Sequence, residues 1–163
     1  MLKRFDFFVR LFVIILALLQ PYIVYWTLGD IQALSLVWGT PLEPLFITTN
    51  ALTSYYLFSM KRWELPALCL LLLTAFSLGT YPIVHDIIAI CFFVSVIYPL
   101  YKTKRLKFVL WIYLLSLLVG YMWGIFWMEV WGIVVMCSYH LILIIYKRLL
   151  ISRKNSNGFR QDL

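Results

Sequence analysis

Long runs without charge constrain this chain more than any other feature. Residues 11–29 and 44–60 carry no charged side chain, and 65–101 and 108–146 carry one each, Asp86 and Glu129. A helix needs about 20 apolar residues to cross a hydrocarbon core about 30 Å thick, so each of the first two runs suits one crossing. The other two are too long for that: as one helix rising about 1.5 Å per residue, 65–101 would reach about 55 Å. Each must fold back once. Gly79-Thr80-Tyr81-Pro82 supplies a turn for the first, with Pro82 opening the next helix where no backbone N–H is needed. For the second, the bend is expected between Gly120 and Glu129. Composition agrees, with 64% hydrophobic and 13% charged residues against about 45–50% and about 25% in soluble domains, and a mean hydropathy of +0.92.

The expected fold is therefore an all-α integral membrane protein. It is a single six-transmembrane-helix bundle over 1–151 with helices near 8–28, 43–60, 64–80, 83–101, 107–124 and 128–147, followed by a polar tail at 152–163. The start, Met1-Leu2-Lys3-Arg4, looks like a signal peptide, but the apolar stretch continues past Gln20 and Pro21 to Trp26 without a small-x-small cleavage site, so a retained anchor is expected. Counting along six helices puts all 14 basic residues on one side. By the positive-inside rule that side is cytoplasmic, with both termini there, in a plasma or inner membrane. Trp26, Trp38, Trp123, Trp127 and Trp131 collect towards the other interface. The net charge of +7 thus reads as topology, and no nucleic-acid partner is expected. Loops this short leave no room for a nucleotide-binding, soluble catalytic or DNA-binding domain, and no cofactor is expected. Cys69, Cys91 and Cys137 stand singly, without the paired spacing of a redox or zinc motif.

Glu43, Asp86 and Glu129 recur every 43 residues, as do Lys61-Arg62, Lys104-Arg105 and Lys147-Arg148. From each acid to its lysine is 18 positions, about 27 Å of helix. Two readings are open. One is a repeated helix hairpin, with agreements such as Ile47, Ile90 and Ile133. The other is that two minimal crossings with minimal turns give this period, with acids favoured at helix N-termini and cations at C-termini by about 0.3–1 kcal/mol each.

Chemistry must then reside inside the bundle or on its rims, where polar groups need partners or water. Asp30, Glu43, His85, Asp86 and Glu129 form an outer rim with no basic side chain. Carboxylates and imidazole there are candidates for acid/base catalysis (His85, Asp86, Glu129, Glu43) or for a divalent metal (His85, Asp86, Glu129). The competing reading is helix-start electrostatics, with His85 capping a turn. His85 and Asp86 point about 100° apart, and no His-x-x-x-His spacing exists.

Below the rim, the second helix carries Thr48, Thr49, Asn50, Thr53 and Ser54, with Glu43, Asn50 and Ser54 near one face. They read either as polar glue between helices or as the wall of a cavity. His140 lies 11 residues past Glu129, about 16 Å deeper, and either bonds a neighbour such as Gln20 or contacts a ligand. Asn50, Ser54, His140 and Gln20 are the candidate ligand-binding residues. Ser116, Gly120 and Gly124 form a small-x-x-x-small ladder suited to close helix packing.

The segments His85-Asp86-Ile87-Ile88-Ala89, leading into Cys91-Phe92-Phe93, and Glu129-Val130-Trp131 resemble the DRAM/Frag-like six-helix membrane proteins. In those a His-x-x-x-Ala pattern opens the fourth helix and a Glu followed by an aromatic opens the sixth. The 30–42 loop departs from that pattern in lacking a Ser/Glu/Gly cluster. The resemblance implies a multi-pass protein of lipid handling or membrane signalling, with His85 and Glu129 near each other on the outer side.

The expected function is a non-enzymatic membrane protein binding lipid or a partner protein, or a second copy of itself, through its bundle and acidic rim. The alternatives are a membrane-embedded enzyme acting on a lipid through a His/Asp/Glu site, and a small transporter or channel subunit.

Overall fold

Proline opens two of the helices and glycine separates two others. The computed structural model describes residues 2–29, 31–103 and 107–159. Its elements are α1 Leu2–Leu28, a 3₁₀ turn Leu34–Val37, α2 Glu43–Phe58, α3 Glu64–Ala75, α4 Pro82–Lys102, α5 Lys107–Trp123 and α6 Ile125–Phe159. Pro44 and Pro82 sit in the first turns of α2 and α4, where their missing N–H costs nothing. Gly124, at φ 116°, is the single residue between α5 and α6. That backbone conformation is open to glycine and strained for most other residues.

The chain is thus all-α with six helices, and its ends depart from expectation in three places. α3 stops at Ala75 rather than near 80, because Phe76 turns extended, with φ −108° and ψ 94°. α1 already begins at Leu2. α6 continues to Phe159, through the first part of the segment read as a tail, since 147–157 contains neither proline nor glycine to stop it. Among the described residues, three segments are long and apolar enough to cross a membrane, Phe7–Leu28, Pro82–Lys102 and Ile125–Leu149. Three, not six, meet that length, since α2, α3 and α5 have 16, 12 and 17 residues.

Consecutive helices pack on one another, and α1 closes the ring on α6. Short turns between packed neighbours make them antiparallel. Both described chain ends therefore lie at one end of the ring, here the near end. Lys61 and Arg62 follow α2 at that end, and Lys147 and Arg148 lie towards it on α6, whereas Glu43, Asp86 and Glu129 lie in the first two turns of helices that start at the far end. Asp30, Lys104, Arg105 and Arg160, which belong to the expected rim and cation pattern, lie outside the described residues.

The polarity of this ring is inverted relative to a soluble protein. Ile83, Ile87, Ile90, Val94, Tyr98 and Tyr101 form an exposed stripe along α4, while Gln20, Thr49, Ser54, His85, Ser95 and His140 are buried. Exposed apolar faces of this extent suit hydrocarbon and not water. Inside, one core cluster joins α1 through α6 around Tyr113, Val96 and Leu100, and a second gathers Val24, Leu34, Val37, Phe46, Phe126 and Val130 at the far end.

The α5–α6 hairpin explains the small-residue ladder. A Cβ on Gly120 would lie 2.5 Å from the Met128 Cα and 2.9 Å from the Trp127 carbonyl oxygen. The glycine is therefore needed for contact within the chain, while Ser116 bonds the Tyr113 carbonyl. Gly120→Ala gains about 1 kcal/mol of helix propensity but forces backbone apart, an overpacking cost of about 1–3 kcal/mol. A net loss of stability is expected for Gly120→Ala, read as a lower Tm in detergent, with Gly79→Ala, which meets open space, close to neutral.

Candidate functional site

Five helices turn side chains towards a central cavity of about 100 Å³, α3 through Leu70 and Leu73. α6 contributes Glu129, Ile133, Met136, Cys137 and His140, and α2 contributes Phe46, Asn50, Thr53, Tyr56 and Leu57, both at the three-to-four-residue spacing of one helical face. Gln20 and Ala17 come from α1, and His85, Ala89 and Phe92 from α4. From Glu129 to His140 the cavity follows about 16 Å of α6.

The loop between α1 and α2 roofs the far end. Leu34 and Ser35 of the 3₁₀ turn line the cavity, and two long-range bonds hold the loop on α6. The Leu34 N–H donates to Glu129 Oε2 at 2.7 Å, and the Phe126 N–H donates to the Gln32 carbonyl at 2.9 Å. Glu129 is therefore a half-buried latch on the roof rather than a free rim acid.

His85 has a comparable backbone role. Its Nδ1 lies 2.6 Å from the Phe76 carbonyl oxygen, the group exposed where α3 unwinds. A carbonyl only accepts, so Nδ1 carries the proton and Nε2 presents a lone pair in the neutral ring. The ring itself is buried and lines the cavity.

The other rim acids do not join this pair. Glu43 Oε2 accepts the Gly39 N–H at 2.8 Å in an exposed turn, and Asp86 is exposed. Among the described residues no group of three or more His, Cys, Asp or Glu side chains could hold a metal ion. The cysteines are unpaired, with Cys69 and Cys137 buried and Cys91 exposed.

Deeper in, His140 does not bond Gln20, the neighbour suggested by its depth. Its Nδ1 lies 3.3 Å from the Tyr56 hydroxyl, and the Trp63 and Tyr139 rings flank it at 4.5 and 5.2 Å between centroids. Arg10 approaches the Tyr56 ring from the near end, at 6.0 Å. Gln20 Nε2, Thr53 Oγ1 and His140 Nε2 are buried without hydrogen-bond partners, and all three residues line the cavity. Trp38 Nε1 and Thr49 Oγ1, also unpartnered, belong to residues outside the lining.

Of the α2 candidates, Asn50 faces the cavity. Ser54 does not, because its hydroxyl donates to the Ala67 carbonyl of α3 at 2.7 Å, which makes it a link between helices. Thr53 and Tyr56 complete the polar lining. Their three-residue step onto the Asn50 face was the available sequence signal, whereas the roofing role of Ser35 and Leu34 had none.

No known protein family, characterised protein or solved structure matches this chain. His85 and Glu129 both line the cavity.

Two substitutions separate the roof from the helix end. Glu129→Ala is expected to cost about 1.5–3 kcal/mol and to raise amide exchange across 31–42, measured by hydrogen-exchange mass spectrometry, with Glu129→Gln recovering much of the protection. His85→Leu is expected to cost about 1–3 kcal/mol by stranding the Phe76 carbonyl. It leaves exchange across 31–42 unchanged.

Proposed function

We propose that this chain is a six-crossing membrane protein of non-enzymatic type that holds the head of a lipid-class amphiphile in its central cavity, with both termini cytoplasmic. The chain is a helical membrane protein with three candidate crossings, and the finer statement adds α2, α3 and α5. Their support is the exposed apolar flank, which continues over α5 through Phe108, Trp111, Leu115 and Leu118. α5 and α2 have helical rises of about 25 and 24 Å, near the hydrocarbon thickness. α3 rises only about 18 Å. The extended Phe76 can make up part of the remainder because its carbonyl is bonded by His85, and non-helical backbone is tolerated at membrane depth only where protein satisfies it.

The observation that carries ligand binding is the cavity's mixture of walls and groups. Aliphatic and aromatic side chains form most of it, and a few buried polar atoms, those of Gln20, Thr53 and His140, point to no protein partner. Ligand sites have this composition. The non-enzymatic reading is favoured because Glu43, His85 and Glu129 each bond backbone rather than one another. Membrane lipids are accordingly the partner class.

Two measurements test this. Native mass spectrometry from mild detergent is expected to find one retained lipid per chain, lost on filling the cavity with Ala89→Phe and kept in Ile87→Phe, which sits on the exposed side of α4. A wild-type chain without adducts would defeat the reading. For topology, single cysteines in a cysteine-free background are expected to react with an impermeant thiol reagent from outside at position 79 and from the cytoplasmic side at position 61. The reverse pattern would refute the cytoplasmic termini, and labelling of both from one side would refute α3 as a crossing.

A further inference from the structure

Resting on that reading, we infer that the cavity selects a neutral amphiphile carrying two carbonyl oxygens, the chemistry shared by a para-quinone and a diester lipid. The unpartnered atoms define the polarity the ligand must present. Gln20 is only 3% exposed, and its free atom, Nε2, can only donate. His140 is equally buried, and its Nδ1 faces the Tyr56 hydroxyl. In the tautomer where the Tyr56 O–H donates to Nδ1, the proton of the neutral ring sits on Nε2. Thr53 adds a hydroxyl that is free to donate. Three unpartnered donors thus line one space, beside the acceptor atoms of Asn50 and His85.

Charge excludes the common lipid head groups. Among the described residues no lysine or arginine lines the cavity, so an anionic phosphate or carboxylate has no counter-charge there. A cationic head has nothing to offer three donors. A neutral acceptor remains.

The donors are also spread along the cavity. Val24 and Val130 belong to the same far-end cluster. Gln20 lies one turn of α1 below Val24, about 6 Å, whereas His140 lies ten residues of α6 below Val130, about 15 Å. The two donors are therefore offset by about 9 Å along the axis. Thr53 sits between them, one turn of α2 above Tyr56. One carbonyl oxygen cannot serve both ends of that offset, and two oxygens on a single ligand can.

The full chain, purified in detergent, tests this by calorimetric titration with four probes of matched tail length. These are 2-decyl-1,4-benzoquinone, 1,2-didecanoylglycerol, decylbenzene and decyl phosphate. The expected result is that the quinone or the diacylglycerol binds at least tenfold tighter than decylbenzene and decyl phosphate, and the stronger of the two identifies the source. Gln20→Leu is expected to weaken that probe about tenfold, the scale of one lost hydrogen bond, and to leave decylbenzene unchanged. If Gln20→Leu does not fold, Thr53→Val gives the same reading. Decylbenzene binding as tightly as the carbonyl probes, or decyl phosphate binding best, overturns the carbonyl inference while leaving lipid binding intact. So does retention of a native lipid by a chain that binds neither carbonyl probe. Failure of all four probes together with no retained lipid overturns the underlying reading, with the cavity then holding water only.

Discussion

The apolar flank of the ring, which suits hydrocarbon and not water, is the constraint on which everything else depends. With apolar side chains covering the outside of α1, α4 and α5, no polar group facing that environment could be satisfied there, and an unsatisfied one costs several kcal/mol in hydrocarbon. Polar side chains are therefore directed inward and spent on backbone. Ser54 bonds the Ala67 carbonyl, Tyr113 the Phe93 carbonyl and His85 the Phe76 carbonyl. Thr103 bonds Pro99 and meets the Tyr139 hydroxyl. Each of these links either ties two helices or mends an interruption in one.

Against that background the unpartnered atoms around the cavity stand out. A chain that provides partners for Ser54, His85 and Tyr113 leaves Gln20 Nε2, Thr53 Oγ1 and His140 Nε2 without them around one continuous space. The roof is part of the same arrangement. Glu129 holds the loop at Leu34, so the acid that terminates the cavity also keeps its cover in place. The apolar faces of Val24, Leu34, Val37, Phe46 and Phe126 pack beneath the same loop. The latch and the hydrophobic seal depend on one another, because the Leu34 N–H must be matched when its side chain is buried.

Much of the helical plan was legible because it is local. The proline at 82 and the glycine at 124 act within a residue or two, and both mark boundaries in the structure. The 43-residue recurrence was harder to interpret. Glu43, Asp86 and Glu129 all sit in the first two turns of their helices, yet one caps an exposed turn, one faces outward and one latches a loop. Equal spacing therefore does not carry equal chemistry. His140 and Ser54 were recognised as polar groups in apolar helices, but their partners were not, since a few tens of degrees of helix rotation decides whether a side chain meets Ala67, Tyr56 or open space.

Apolar length, turn residues and charge position are read along one dimension. They suffice to define an all-α membrane chain with helices in these places, since hydrocarbon thickness and the cost of burying a charge act on each segment separately. Which polar groups find partners is a three-dimensional matter. The Leu34–Glu129 bond joins residues 95 positions apart, and no local pattern announces that a loop after α1 will fold back onto the start of α6. The cavity, its roof and its three unpaired donors exist only because α1 closes the ring on α6, and that closure sets the rotation of every helix around it.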